Sequence, residues 1–211
     1  MDLNALKEAV IAGDLKGCGI LTEVAIQAGL PPEKILNEGL VPGMEVVGEK
    51  FRCNEVYVPE VLVAARAMKK SLSILRPLLT KAGAKPVGVA VMGTVKGDLH
   101  DIGKNLVCMM LEGGGFEVID LGADVAPDKF VQAIKDTGAQ LLGISSLLTT
   151  TMLGMREVIR ALDHADLRAK VKVMVGGAPV TQTFADEIGA DAYGESAAVA
   201  VEQAKSLLGI A

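Results

Sequence analysis

From Val87 onward the chain alternates short strand-like runs with helical stretches, and this alternation restricts its possible folds more than any other feature. The runs cover residues 87–92, 116–120, 141–145, 171–175 and 191–193. Helical stretches follow them at about 103–112, 127–137, 152–164 and 180–188, with a last one reaching about 208. Five strands alternating with helices predict a doubly wound, five-stranded parallel sheet joined by right-handed crossovers, an α/β fold. Such sheets bind ligands past the carboxyl ends of their strands, where the strand order reverses. For an order of 2-1-3-4-5 that point lies between the first and third strands. The loops following Met92 and Ser145 are therefore the places to look for function.

The residues before Val87 have a different texture. Apolar side chains recur at helical spacing in Leu40, Met44, Val47 and Phe51, and again in Val61, Leu62, Ala65, Met68, Leu72 and Leu75. Asp2 is placed to cap a helix running to about residue 12, and Gly13-Asp14 restarts one that ends near residue 29. Pro31-Pro32 opens a third helix and Pro59 a fourth that ends near residue 80. Short connections make consecutive helices antiparallel neighbours, which predicts an N-terminal four-helix bundle over 1–82. Residues 81–86, Lys-Ala-Gly-Ala-Lys-Pro, read as the linker to a second domain over 87–211.

Composition excludes several function classes. A mean hydropathy of +0.40 raises the question of a membrane span. Within the longest uncharged stretch, residues 140–155 are interrupted by Ser, Thr and Gly and fall short of the roughly 20 apolar residues a spanning helix needs. The first residues carry no basic segment followed by an apolar block, so a cytoplasmic location is expected. The net charge is −5, with most of the acidity after Val87, which disfavours nucleic acid and anionic membrane surfaces as partners. Cys18, Cys53 and Cys108 form no Cys-x-x-Cys pair and read as reduced, functionally neutral thiols.

The loop after the first strand runs Gly93-Thr-Val-Lys-Gly-Asp-Leu-His-Asp-Ile-Gly-Lys-Asn105, with Asp98-x-His100-x-x-Gly103 at its centre. The glycine spacing does not match a dinucleotide fingerprint, and Gly103-Lys104 is followed by Asn105 where a phosphate loop needs Ser or Thr. One imidazole flanked by two carboxylates suits a metal ligand, because a ligating His commonly donates its other ring N–H to a carboxylate. It equally suits a solvated turn His bonded to Asp98. One protein ligand cannot hold a bare divalent ion, so a metal here would arrive with most ligands supplied by a macrocycle. The loop after the third strand, Ser145-Ser-Leu-Leu-Thr-Thr-Thr151, spaces hydroxyls through an apolar segment. One of its threonines is expected to cap the next helix. Gly176-Gly177 after the fourth strand and Tyr193-Gly194-Glu195 after the fifth would let a flat, bulky group approach the backbone.

These residues resemble the cobalamin-binding corrinoid proteins of methyltransferase systems and the matching module of methionine synthase. The resemblance runs from about Leu36 to the C-terminus. It is carried by Gly-Met-Glu-Val-Val-Gly-Glu-Lys-Phe (43–51), Tyr-Val-Pro-Glu-Val-Leu (57–62), Gly-Asp-Leu-His-Asp-Ile-Gly-Lys-Asn (97–105), the 145–151 loop and Gly176-Gly177. It implies a cobalamin-binding, Rossmann-like domain in which His100 replaces the cofactor's own base below cobalt (base-off/His-on), with Asp98 and Thr151 completing a relay. Ser145 and Thr149 would hydrogen-bond the buried nucleotide tail, and Gly103 would give it room. Gly97, Leu99, Asp101, Ile102, Leu147, Gly176, Gly177, Tyr193, Gly194 and Glu195 complete the implied cofactor contacts. Phe51, Val58 and Val61 match positions that cap the upper corrin face.

The implied function is that of a methyl carrier, not catalytic alone. It would take a methyl group from methanol, a methylamine, betaine or an aryl methyl ether through cobalt(I) and methyl-cobalt(III), and pass it to tetrahydrofolate or a thiol. The implied partners are a donor-specific methyltransferase, an acceptor methyltransferase and a reductive activator of cobalt(II). The linker would act as a hinge. Two other readings share the loop: a cobalamin-dependent sensor, and the small subunit of an adenosylcobalamin mutase. The absence of a basic DNA-reading segment argues against the first, and the N-terminal bundle against the second.

Overall fold

The computed structural model describes residues 3–83 and 85–210. The chain divides into two compact units: Met1–Pro86 with Met109–Gly115, and Val87–Cys108 with Phe116–Ala211.

In the helical unit, α1 (Asn4–Ile11) has Leu3 at its cap position and no side-chain cap hydrogen bond. The expected Asp2 cap lies outside the described residues. Gly13, at φ +67°, turns the chain between α1 and α2 (Leu15–Gln27), a conformation that costs glycine little. Asp14 then caps α2, its carboxylate accepting from Gly17 N at 2.9 Å. α3 (Pro32–Ile35), a π turn (Leu36–Leu40) and α4 (Val41–Arg52) follow without a break and together form the third predicted helix. The π turn was not foreseen. Pro42 lacks an N–H and its ring would press on the carbonyl four residues back, so a wider turn relieves the contact. α5 (Val58–Ala82) ends two residues beyond the expected 80, so the linker starts at Gly83 rather than Lys81.

Most of the predicted apolar periodicity of these helices is buried, while Phe51 and Leu62 are half-buried. Leu40, Met44, Val47, Val61, Ala65, Met68, Leu72 and Leu75 are all buried. Two hydroxyls in that interior satisfy one another: Thr22 Oγ1 lies 2.7 Å from Cys18 O and 2.8 Å from Ser71 Oγ, tying α2 to α5. Burial pushes the Cys18 thiol up to about 11, consistent with an inert thiol.

The second unit holds a five-stranded, all-parallel sheet in the order β2-β1-β3-β4-β5. Its elements are β1 (Val89–Thr94), α6 (Ile102–Gly113), β2 (Glu117–Asp120), α7 (Pro127–Thr137), β3 (Leu141–Ser145), α8 (Gly154–His164), β4 (Lys172–Gly176), α9 (Gln182–Ile188), β5 (Ala192–Gly194) and α10 (Ala197–Leu207). The central strands read as nearly continuous apolar runs because helices cover both faces. Val91, Leu142, Val173 and Val175 pack in one cluster with Phe130, Met155, Leu162 and Phe184 from α7, α8 and α9. β1 begins two residues later than predicted, because pairing with β2 starts at Val89↔Glu117 and leaves Val87 exposed.

The register aligns the strand ends. Thr94 pairs with Ser145, Ser145 with Gly176, and Gly176 with Gly194, so one row across the sheet starts the loops after β1, β3, β4 and β5. Among the described residues no helix is long and apolar enough to cross a membrane.

Candidate functional site

The β1–α6 loop is held rigidly from within. Thr94, buried at the end of β1, donates from Oγ1 to His100 O at 3.1 Å. Asp98 N donates to Val95 O, and Asp124 N donates to Asp98 O. Gly97, at φ +83°, donates from its N–H to Asp124 Oδ1 at 2.7 Å. These bonds drive the Asp98 side chain inward until it is fully buried, while His100 two residues on stays 52% exposed.

Asp98 is saturated with donors. Its Oδ1 accepts from His100 N at 3.0 Å and lies 2.8 Å from His100 Nδ1. Its Oδ2 accepts from Leu147 N at 2.7 Å and Thr151 Oγ1 at 2.8 Å, and Ser146 Oγ lies 3.1 Å from it. Burial alone would raise the Asp98 carboxyl, but the bonds from the Leu147 and His100 amides, the Thr151 hydroxyl and the His100 ring outweigh it. They hold the group far below the ordinary carboxylate range. A charged carboxylate can only accept, so Nδ1 carries a proton and Nε2 is the ring nitrogen left for a metal. The three residues expected to form a relay, Asp98, His100 and Thr151, are thus brought together. Thr151 does not cap the next helix. α8 starts only at Gly154 behind Leu153, which gives no side-chain cap, and Thr149 and Thr150 are exposed.

A groove of about 310 Å³ opens at the aligned strand ends. Of the residues singled out from sequence, Gly103, Ser145, Gly176, Gly177, Tyr193, Gly194 and Glu195 line it. Thr149 and Leu147 do not: they lie on the exposed turn after β3, and Leu147 contributes its amide to Asp98 instead. Beside His100, Leu99 and Ile102 are 77% and 79% exposed, an unusual display of apolar surface at the rim of a sheet. Asp101 does not flank the imidazole as its spacing suggested, because its Oδ2 accepts from Asn105 Nδ2 at 3.0 Å at the start of α6.

Of the apolar residues matched to the helical unit, Phe51 is half-buried and Val58 is exposed. Val61 is fully buried and has no surface to present to a ligand, so it is a core residue in this structure. Sequence reasoning missed Ser146 and Lys104. Ser146 was legible only as one hydroxyl in a series, with nothing to aim it at Asp98. Lys104, a groove residue with a fully buried side chain, places Nζ 2.6 Å from both Asp120 Oδ1 and Asn105 Oδ1. A lysine on the first turn of a surface helix would ordinarily be read as solvated.

Comparison with known proteins agrees with this geometry. Family models described as B12 binding domains match residues 88–202 and residues 2–76. The dimethylamine corrinoid protein 3 of Methanosarcina acetivorans is 49% identical over 182 residues, 86% of this chain and 85% of its own. This chain belongs to the cobalamin-binding corrinoid proteins of methyltransferase systems. Two solved structures share its fold. A cobalamin-binding protein from Desulfitobacterium hafniense DCB-2 matches with a TM-score of 0.79 and 31% identity, over 98% of both chains. The methanol:cobalamin methyltransferase complex MtaBC from Methanosarcina barkeri matches with a TM-score of 0.89 and 29% identity, over 98% of this chain and 79% of that one.

The cofactor of this corrinoid protein is therefore cobalamin or a related cobamide, and the residues present fit such a group. Among the described residues no cluster of three or more His, Cys, Asp or Glu is arranged to hold a metal ion. The donor set is instead one oriented imidazole, which suits a metal already ligated by a macrocycle. Gly103 also leaves space: a Cβ built there would meet nothing within 4 Å.

Proposed function

We propose that this corrinoid protein is the methyl carrier of a methylated-amine system, holding its cobamide with His100 as the lower axial ligand. The observation that carries the reading is the His100–Asp98 pair, in which a fully buried, charged carboxylate fixes the Nδ1 proton of a half-exposed ring and leaves Nε2 free to coordinate. When bound, the corrin supplies a cobalt centre that accepts a methyl group from one partner and yields it to another.

The chain's own residues do the rest. Leu99 and Ile102 offer an apolar platform beside His100, and the glycine-lined groove takes the cofactor's nucleotide tail, with Ser145 and Glu195 at its walls. Thr151 joins Asp98 to the outside of the loop and completes a route by which the charge on the imidazole is adjusted. Phe51 and Val58 are the apolar residues of the helical unit proposed to keep water from the cofactor. The name of the dimethylamine relative supports a methylated amine as donor. The acceptor methyltransferase, serving tetrahydrofolate or a thiol, and the reductive activator complete the proposed cycle.

The test is His100→Ala. The variant should bind methylcobalamin more loosely and show the ultraviolet–visible spectrum of a protein-bound cobamide without a histidine ligand. An unchanged spectrum refutes the ligand role. A panel of methylated amines, methanol, betaine and aryl methyl ethers, each with its methyltransferase, tests the donor assignment.

A further inference from the structure

The relay as read from sequence has one hydroxyl, that of Thr151; the structure supplies two. Ser146 Oγ is fully buried and sits 2.8 Å from Thr151 Oγ1, 3.1 Å from Asp98 Oδ2 and 3.4 Å from Leu148 O. Thr151 Oγ1 has the same partners, at 2.8 Å from Asp98 Oδ2 and 3.1 Å from Leu148 O. Each hydroxyl owns one proton, and both Asp98 and the Leu148 carbonyl can only accept. The close Oγ···Oγ1 contact uses one proton, so only one is left for Asp98 or Leu148. The shorter Thr151–Asp98 distance favours the sequence Ser146 to Thr151 to Asp98.

Ser146 cannot drift away from this contact. Its N–H donates to Gly176 O at 3.2 Å, and its carbonyl lies where a side chain on Gly177 would have to be: a Cβ built there falls 1.8 Å from Ser146 O. Gly177 also has φ +125°, a conformation that favours glycine. The end of β4 therefore clamps the Ser146 backbone from both sides and fixes where its hydroxyl stands.

We infer that Ser146 is a positioning residue for the axial ligand: its buried hydroxyl donates to Thr151 and so strengthens the bond from Thr151 to Asp98 Oδ2, which limits how strongly Asp98 draws on the Nδ1 proton of His100. The inference rests on the reading of His100 as the lower ligand. Hydrogen bonds to one carboxylate compete for its charge. Removing the Ser146 hydroxyl weakens the bond from Thr151, leaves more of that charge on the remaining partners and makes the imidazole a stronger donor through Nε2. Cobalt(II) with an axial nitrogen is then favoured over cobalt(I), which holds no axial ligand.

The experiment reconstitutes wild type and Ser146→Ala with cob(II)alamin at fixed pH. It records the axial-nitrogen splitting by electron paramagnetic resonance and the midpoint potential of the cobalt(II)/cobalt(I) couple. Ser146→Ala should keep the splitting and move the potential to a more negative value, by an amount equivalent to about three- to tenfold tighter axial ligation, the range of one net hydrogen bond. Ser146→Cys keeps nearly the same volume with a weaker donor and should fall between the two; it carries the test if the alanine variant does not fold. A potential that is unchanged or more positive, with the splitting intact, overturns the role of Ser146 while leaving that of His100 standing. Wild type without axial-nitrogen splitting overturns the reading of His100 and this inference with it.

Discussion

The Lys104–Asp120 pair makes an asymmetric prediction. The Lys104 side chain is 0% exposed and that of Asp120 39% exposed, with Nζ and Oδ1 2.6 Å apart. Asp120→Ala leaves an ammonium buried beside a single neutral acceptor, Asn105 Oδ1. Removing one partner of a buried charge pair in this way costs about 3–5 kcal/mol, because the stranded charge has lost its compensation. Lys104→Met keeps the volume and removes the buried charge. It leaves Asp120 at the surface, where water solvates it and Gly122 N still donates to it at 2.9 Å, so the cost should stay below about 1.5 kcal/mol. In the double variant no buried charge remains, and the stability should return close to that of Lys104→Met. Hydrogen exchange of the β1 and β3 amides in all four proteins reads the stability of the sheet unit. If Asp120→Ala proves no more costly than Lys104→Met, the stranded ammonium is not the dominant energy and the reasoning fails.

Two further outcomes follow from the site. Asp98 has a folded-state pKa depressed below the ordinary value of about 3.9, so its stabilisation is fully present above that pH and is lost as the pH falls through the folded value. Asp98→Asn should therefore cost about 2–4 kcal/mol at pH 7, with the gap to wild type closing below about pH 4, in urea titrations at a series of pH values; a gap independent of pH would contradict the charged state of Asp98. Gly177→Ala must relieve both its φ of +125° and the 1.8 Å approach to Ser146 O. It should destabilise the sheet unit by about 2–4 kcal/mol and shift the Leu147 amide resonance, which reports on Asp98 Oδ2; an unshifted resonance would uncouple the β4 end from the relay.

What sequence alone determined was whatever short-range periodicity and pattern encode. Short apolar, strand-like runs alternating with helical stretches specified a parallel sheet, since that arrangement buries both faces of such strands. Recurrent apolar positions specified the helical unit, and the Asp98-x-His100 spacing placed a carboxylate within reach of one ring nitrogen. Tertiary structure alone decided the partners that come from far along the chain. The second carboxylate oxygen of Asp98 is filled from residues 147 and 151, and Lys104 is buried by a strand end sixteen positions away. Val61 lay within an apolar match yet is sealed in the interior, and Asp101 turned to Asn105 rather than to the imidazole. The physical reason for the long-range partners of Asp98 and Lys104 is shared. Strand register, set by packing over the whole sheet, fixes which loops meet at its rim, and a hydrogen bond across that rim leaves no trace in the local pattern of either partner.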